Sequence, residues 1–438
     1  MSAGAVDAAV AAEAGWMEEL LVELVEAPTL LGAEDAGQAV MARAFDDCGL
    51  EPVDVPLDPG ALRADPHAGP FSWSVEGKRN VVATWAAAEG GGRSLVLNGH
   101  VDVVPPAAEA LWASPPFRAR RDGDWLYGRG AGDMKAGLVA MTGAVRALRR
   151  AGVALRGDLQ LQSVVEEECT GNGALSVLLS GAGLRADACV ITEPHPDHLT
   201  VAQVGVLWFH VDVVGVPAHA ARASRLGHNA IDAAYEILAE LRELERELNA
   251  DPPAPYDAFE HPINLNPGVI AGGDWPSTVA AQCTLSCRLA TYPGDDPSAL
   301  RAQVEAAVAR AAARDPFLAA HPPAVRYDGF TCEGSVVAAD EPVVEALSAA
   351  YAHVHGAPPR LEATTATTDA RHFVRHGIPA VCFGPRAEQI HGIDERVSLS
   401  SMHECARVLA HFVVGWCGGS TRGRAGERAG GGETDGNH

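Results

Sequence analysis

Histidines and carboxylates recur directly behind apolar, β-branched runs of this chain. His100 closes "SLVLNGH", with Asp102 two residues on; Glu166, Glu167 and Glu168 follow "QLQSVV"; Glu193 follows "DACVIT"; His391 lies beyond "IPAVCFGP". Asp133 sits in the glycine-rich loop "LYGRGAGDMKAG". In open α/β sheets ligands gather outside the carboxyl ends of the strands, so these are the positions where chemistry is expected. Any one of 17 histidines is ordinarily a satisfied surface or core residue. It is the shared position at strand ends that singles out this set. Imidazoles and carboxylates together suit zinc or a similar borderline divalent ion. The donors outnumber what one tetrahedral ion needs. Two ions about 3.5 to 4 Å apart, bridged by one carboxylate, would use them all and lower the pKa of a bound water from 15.7 towards roughly 7.

The run "VVEEECTG" poses its own question. If the chain stays extended, alternation turns Glu166 and Glu168 to one side and Glu167 to the other, which favours the outer pair as partners.

The elements that must position these groups fall into two textures. Residues 7 to 27 have helical apolar spacing, 94 to 98 read as a short strand, 136 to 150 as a helix, and 157 to 165 and 187 to 192 as further strands. Strands with helices between them argue an α/β domain around a largely parallel sheet. From about residue 204 a long strand, a helix (228 to 249), two strands (263 to 272 and 280 to 291), an alanine-rich helix (297 to 314) and a last strand (324 to 330) give βαββαβ, the ferredoxin-like order. A helix near 341 to 355 and the strand 378 to 384 then resume α/β character. The expected organisation is a catalytic domain in two parts, 1–203 and 332–417, split by an insert at 204–331. The glycine-rich polar stretch 418–438 is expected to be a disordered tail.

Composition narrows the partners. With 438 residues and 47% hydrophobic composition the chain can bury more than one core. Fifty-seven acids against 33 bases give a net charge of -24, which repels nucleic acid and anionic membranes and leaves small molecules as partners. Nine cysteines, scattered and never spaced Cys-x-x-Cys, indicate neither a disulfide framework nor a thiolate zinc site, so a reduced cytoplasm is the expected location. No stretch reaches the roughly 18 apolar residues of a membrane span, and the first residues lack the basic start of a signal peptide.

"NGHVDVVPP", "LYGRGAGDMKAG", "VVEEECTGNGA", "ITEP", "GVPAHAARASRLGHNAI" and "IHG", in that order over about residues 16 to 416, resemble the successive motifs of the dinuclear-zinc deacylases and exopeptidases. That family includes acetylornithine deacetylase, succinyl-diaminopimelate desuccinylase, the aminoacylases and glutamate carboxypeptidase. The resemblance implies that His100 and Glu193 hold one zinc, Glu168 and His391 the other, and that Asp133 bridges both through a cis Asp133–Met134 peptide. Zinc is the implied metal, two per subunit, with Co2+ or Mn2+ as substitutes. Asp102 would accept the free imidazole N–H of His100. The register, with Gly173 five residues after Glu168, makes Glu168 a ligand and Glu167 the base, and leaves Glu166 in support.

The insert resembles the family's lid, which also pairs with a second subunit, so a homodimer is implied. His219 would donate to the oxyanion, reaching the neighbouring subunit's site, with Asn229 assisting. Arg288 would grip a substrate carboxylate bidentately. The implied activity is a metal-dependent amide hydrolase removing an acyl group from an N-acylated amino acid or similar acyl amine. A zinc-bridging water would be deprotonated by Glu167, which then protonates the leaving amine. Alternatives are a dipeptidase or carboxypeptidase, a deformylase of a heterocyclic amine, or a non-catalytic metal-binding homologue. Departures from the pattern are threonine and alanine in "EATTATTDARHF", where relatives carry a glycine run, and His195 and His198 behind Glu193.

Overall fold

The computed structural model describes residues 2–421. Its central sheet has nine strands. Eight run in the order Pro52–Pro56, Arg79–Trp85, Leu159–Val164, Leu95–His100, Ala188–Ile191, Ala380–Cys382, His198–Gln203, Ser335–Val336, and Arg360–Thr364 also pairs with His198–Gln203. The middle pairings are parallel: Leu95–His100 with both its neighbours, and Ala188–Ile191 with Ala380–Cys382. Antiparallel pairs flank them at Arg79–Trp85 and at Ser335–Val336. Every residue of Leu95–His100 and Leu159–Val164 is buried, as expected for parallel strands covered on both faces. The covering helices include Ala136–Arg150 and Leu399–Cys417, which pack on each other.

Parallel register brings the strand ends level. His100 lies opposite Val164, and Asn98 opposite Ile191, so the residues beyond each strand emerge side by side. That alignment turns positions far apart in the chain into neighbours.

A second, five-stranded antiparallel sheet runs in the order Leu265–Gly272, Gln282–Thr291, Gly205–Val214, Ala324–Arg326, with Thr331–Cys332 also on Gly205–Val214. Gly205–Val214 alternates buried and partly exposed residues from Leu207 onward, and its inward Leu207, Phe209, Val211 and Val213 share a core with Ile237, Leu241, Val304 and Val308. Those last four come from the helices Ala230–Leu248 and Pro297–Ala313, which pack against each other. The strand order and the βαββαβ succession are those of a ferredoxin-like unit.

Some local readings change. The helix read over 7 to 27 is two, Ala3–Ala11 and Ala14–Glu26. Strands Pro52–Pro56 and Arg79–Trp85, which the spacing did not reveal, complete one side of the central sheet. Of the stretch read as a tail, Ser420–Thr421 pairs with Val153–Ala154, and residues 422–438 lie outside the described residues. Among the described residues no helix is long and apolar enough to cross a membrane.

Candidate metal centre

His100 is the last residue of its strand and is buried. Its Nε2 lies 3.2 Å from Asp133 Oδ1, 3.7 Å from Glu193 Oε1 and 4.0 Å from Glu167 Oε2. His391 Nε2 lies 3.3 Å from Asp133 Oδ2 and 3.0 Å from Glu168 Oε2. The two oxygens of Asp133 therefore face two different imidazoles. An ion with ligand bonds of about 2.0–2.1 Å holds tetrahedral donors roughly 3.3–3.4 Å apart, so most of these spacings are those of donors around a zinc-sized ion. Donor type and spacing both fit, and Asp133 stands where two such sets share an oxygen pair.

The loops explain why these atoms converge. Asp133 sits in a distorted turn, Ala131–Lys135, entered through Gly130 at φ 78°, and the Asp133–Met134 peptide is cis. Glu395 receives the backbone N–H groups of Gly130, Gly132 and Asp133, each at 3.0 Å, and Arg129 Nη1 at 2.5 Å. His391 itself has φ 60°, between Gln389 at 57° and Asp394 at 55°, in a tightly folded exposed loop. Glu395 and Arg129 carry no strand-end signal in the sequence, because neither stands behind a strand of the central sheet.

The three glutamates separate. The strand ends at Val164, and Glu166 takes φ 62°, in the left-handed region that costs a non-glycine residue about 1–3 kcal/mol. Alternation thus stops before it can apply. Glu166 turns into the protein, fully buried, and accepts from Lys78 Nζ at 2.7 Å, Trp73 Nε1 at 2.8 Å and Thr170 Oγ1 at 3.0 Å. Lys78 also reaches buried Glu34 at 2.7 Å. Glu167 and Glu168 turn instead towards the histidines.

Asp102 acts through two different groups. The resemblance implied that its carboxylate would take the His100 N–H, but His100 Nδ1 meets the main-chain carbonyl of Asp102 at 2.9 Å, with the nearer carboxylate oxygen at 3.6 Å. That carboxylate accepts the backbone N–H of Glu167 at 3.3 Å and of Glu168 at 3.1 Å. It holds the loop that carries both.

The electrostatics match a site built for cations. Burial pushes Glu167 and Glu193 well above the usual carboxylate range, and the neighbouring carboxylates add to it. Burial raises Asp102 to about 7 and Asp369, whose two buried oxygens have no hydrogen-bond partner, to about 6. Burial alone would make His391 and His100 poor bases, but hydrogen bonds donated to Asp133 and the charges of the surrounding carboxylates overcome it, lifting His391 to about 11 and His100 well above the histidine range. Without an ion, these shifts favour protons at positions a divalent ion would take over.

The other expected residues lie elsewhere or do other work. Arg288 lines a cavity of about 780 Å³ with Asp102, Glu167, Glu168 and His391, facing them from the second sheet beside Trp208 and Phe330. No carboxylate lies within 4.0 Å of its guanidinium among the described residues. His219 is exposed, lines a separate surface hollow, and accepts the Ala221 N–H through Nδ1 at 3.1 Å. Asn229 caps the Ala230–Leu248 helix, its Oδ1 accepting from Ile231 N–H at 2.9 Å. Within one chain neither reaches the cavity that Arg288 lines. His195, with its pKa pushed down to about 3 by burial and by His198, and His198, 3.5 Å from Glu362, belong to neither of the converging donor groups, although the His195 backbone N–H donates to Glu193 O at 2.7 Å. The threonines found where a glycine run was expected bind the start of the insert: Thr367 Oγ1 donates to Val204 O at 2.7 Å and Thr368 Oγ1 to Gln203 Oε1 at 2.6 Å.

The description of Peptidase family M20/M25/M40 matches residues 96–414. The chain belongs to that family, whose members are metal-dependent hydrolases of carbon–nitrogen amide bonds. It is 31% identical over 344 residues to the N-formyl-4-amino-5-aminomethyl-2-methylpyrimidine deformylase of Bacillus subtilis (strain 168), covering 74% of this chain and 79% of that protein. It is 29% identical over 352 residues to the succinyl-diaminopimelate desuccinylase of Paracoccus denitrificans (strain Pd 1222), covering 77% and 86%. The fold is similar to that of the Bacillus subtilis YXEP protein, described as a dinuclear metal binding peptidase, with a TM-score of 0.61, 17% identity and coverage of 92% and 98%.

Proposed function

We propose that the chain hydrolyses an N-acylated amino acid or similar small acyl amine at a dinuclear zinc centre. The observation that carries this is Asp133 presenting one oxygen to His100 and the other to His391, with Glu167 beside them. His100 and Glu193 would hold one ion, Glu168 and His391 the second, and Asp133 would contribute to both. When bound, such a pair polarises the acyl carbonyl and makes water acidic enough to give up its proton near neutral pH. Glu167 takes the proton from the attacking water and delivers it to the leaving nitrogen. Its place in a buried, carboxylate-rich pocket gives it the affinity to hold a proton between the two steps. Asp102 fixes the Glu167 and Glu168 backbones and, through its carbonyl, the His100 ring. Arg288, with no acidic partner in the cavity wall, receives the carboxylate of the substrate.

The unit around Gly205–Val214 acts as the lid and pairs with a second copy. Supporting this, Leu265–Gly272 is an edge strand that leaves Val269 and Ile270 exposed, with Trp275 exposed just beyond it, an unprotected edge of the kind that pairs with another chain. In that dimer the exposed His219 supplies a donor to the oxyanion of the partner's site, and the amide nitrogen of Asn229 assists. The nine free cysteines fit a reducing cytoplasm. A formylated amine is the second reading, favoured by the 31% identity to a pyrimidine deformylase.

The test is hydrolysis by zinc-loaded protein, compared with cobalt- and manganese-loaded forms, of N-acyl amino acids, dipeptides and formylated amines, with ions counted per subunit. Turnover on the first class and two ions are expected. No metal-dependent turnover on any class, with fewer than two ions, would overturn the reading.

A further inference from the structure

A second cavity, of about 610 Å³, opens where the two sheets are joined, and it shares no lining residue with the metal-site cavity. One strand of chain divides the two: Phe330 lines the metal-site cavity, and Thr331, the next residue, lines the junction cleft. The junction is tightly built, since a Cβ on Gly205 would come within 2.6 Å of Cys332 O, and one on Gly334 within 2.5 Å of Gln203 O.

The cleft is basic in an acidic protein. Arg301 enters from the Pro297–Ala313 helix of the ferredoxin-like unit, and Arg371 and Arg375 from the Ala370–Arg375 helix of the central-sheet unit. Arg371 is 6% exposed, yet its Nε has no hydrogen-bond partner, and the same is true of the buried Nε of Arg301. Buried donors without partners are rare enough to call for a ligand. The acids nearby do not satisfy them. Asp369 stands 3.8 Å from Arg371, and Glu333 engages only Arg375, at 3.0 Å and towards solvent. Among the described residues Arg301 has no carboxylate within 4.0 Å, its guanidinium lying 4.9 Å from the Tyr327 ring centroid. His372, on the same wall, is driven well below its ordinary pKa by burial and then by Arg371, His376, Arg375 and His67, which reports a positive field at this spot.

We propose that the junction cleft binds a small oxyanion, a phosphate or carboxylate group, held between Arg301 on one side and Arg371 and Arg375 on the other. Planar guanidinium groups lining one cleft from two units suit such an anion, which would neutralise the field and tie the units together. Arg371 also touches the metal-site side, its Cζ 5.1 Å from the Phe330 ring centroid and its Nη2 donating to Thr170 O at 3.2 Å, two residues past Glu168. The anion site stands whichever substrate the metal centre hydrolyses.

The experiment is calorimetric titration of the metal-loaded full chain with inorganic phosphate and, separately, with citrate, at constant ionic strength. It is repeated on Arg301→Gln and Arg375→Gln. Arg371 is left intact because its Nη1 and Nη2 hold the Thr368 and Thr170 carbonyls. One anion per subunit is expected, weakened at least about tenfold by each substitution, which corresponds to losing one charge-assisted hydrogen bond. The tighter of the two probes identifies the anion as phosphate-like or carboxylate-like. Absence of saturable binding by both probes overturns the proposal. So does binding of unchanged strength in both variants, which would place the anion at the metal ions.

Discussion

Glu395 accepts the backbone N–H of Asp133 at 3.0 Å, although 262 positions of chain separate the two residues. The same carboxylate takes Gly130, Gly132 and Arg129, and it lies four residues past His391. One buried side chain thus fixes both the shared carboxylate and the loop of the second histidine. Glu395→Ala would leave Arg129 buried without its counter-charge, and a stability loss of about 3–5 kcal/mol is expected. Urea unfolding measures it, and an unchanged midpoint would remove Glu395 from this role.

Glu167→Ala should lower kcat by about 10²–10⁴-fold, the usual contribution of a positioned base, while two ions remain bound. Glu168→Ala should instead reduce the metal content. If Glu167→Ala loses zinc and Glu168→Ala keeps it, base and ligand have been exchanged. Metal analysis beside a single assay decides.

Glu166→Ala strikes a different target. Lys78, 7% exposed, would keep only Glu34 as a partner. Stability should fall by about 3–5 kcal/mol, as when one member of a buried ion pair is removed, with activity per folded molecule largely kept. Loss of turnover without loss of stability would place Glu166 in the chemistry after all.

Metal uptake should release protons. His391, raised to about 11, and His100, raised well above its ordinary value, are protonated at neutral pH in the metal-free protein and must lose those protons to become ligands. Because both pKa values are raised, binding weakens as pH falls, by about one decade per pH unit for each proton displaced. Zinc titration in weakly buffered solution with a pH indicator should show acidification at pH 7. No acidification would contradict the protonated cluster.

Arg288→Ala should raise KM for acyl amino acids by roughly 10- to 150-fold, equivalent to a charge-assisted hydrogen bond of about 1.5–3 kcal/mol. Substrates without a carboxylate, such as formylated amines, should be barely affected. Equal losses on both classes would mean that Arg288 shapes the cavity and does not read the carboxylate.

Much of the site was legible without coordinates because parallel strands set their chemistry at one end. His100, the glutamates, Glu193 and His391 could each be found from their place behind a buried apolar run. The βαββαβ insert was legible for a similar reason, since period-two and helical spacing alternate over long, well-formed segments. Short flanking strands such as Pro52–Pro56 were not, because five residues with a proline at each end carry little periodic signal.

By itself the sequence determined which residue types stand behind which strands, and so which candidate donors are imidazoles and carboxylates. The resemblance already divided the three glutamates, but only the tertiary structure gave the physical reason, a left-handed turn at Glu166 that interrupts the alternation an extended chain would obey. The tertiary structure also decided that the Asp102 carboxylate serves the Glu167 and Glu168 backbones, and that Glu395 and Arg129 support the metal loop. Those roles depend on contacts between chain segments far apart in sequence, and local spacing holds no record of such contacts.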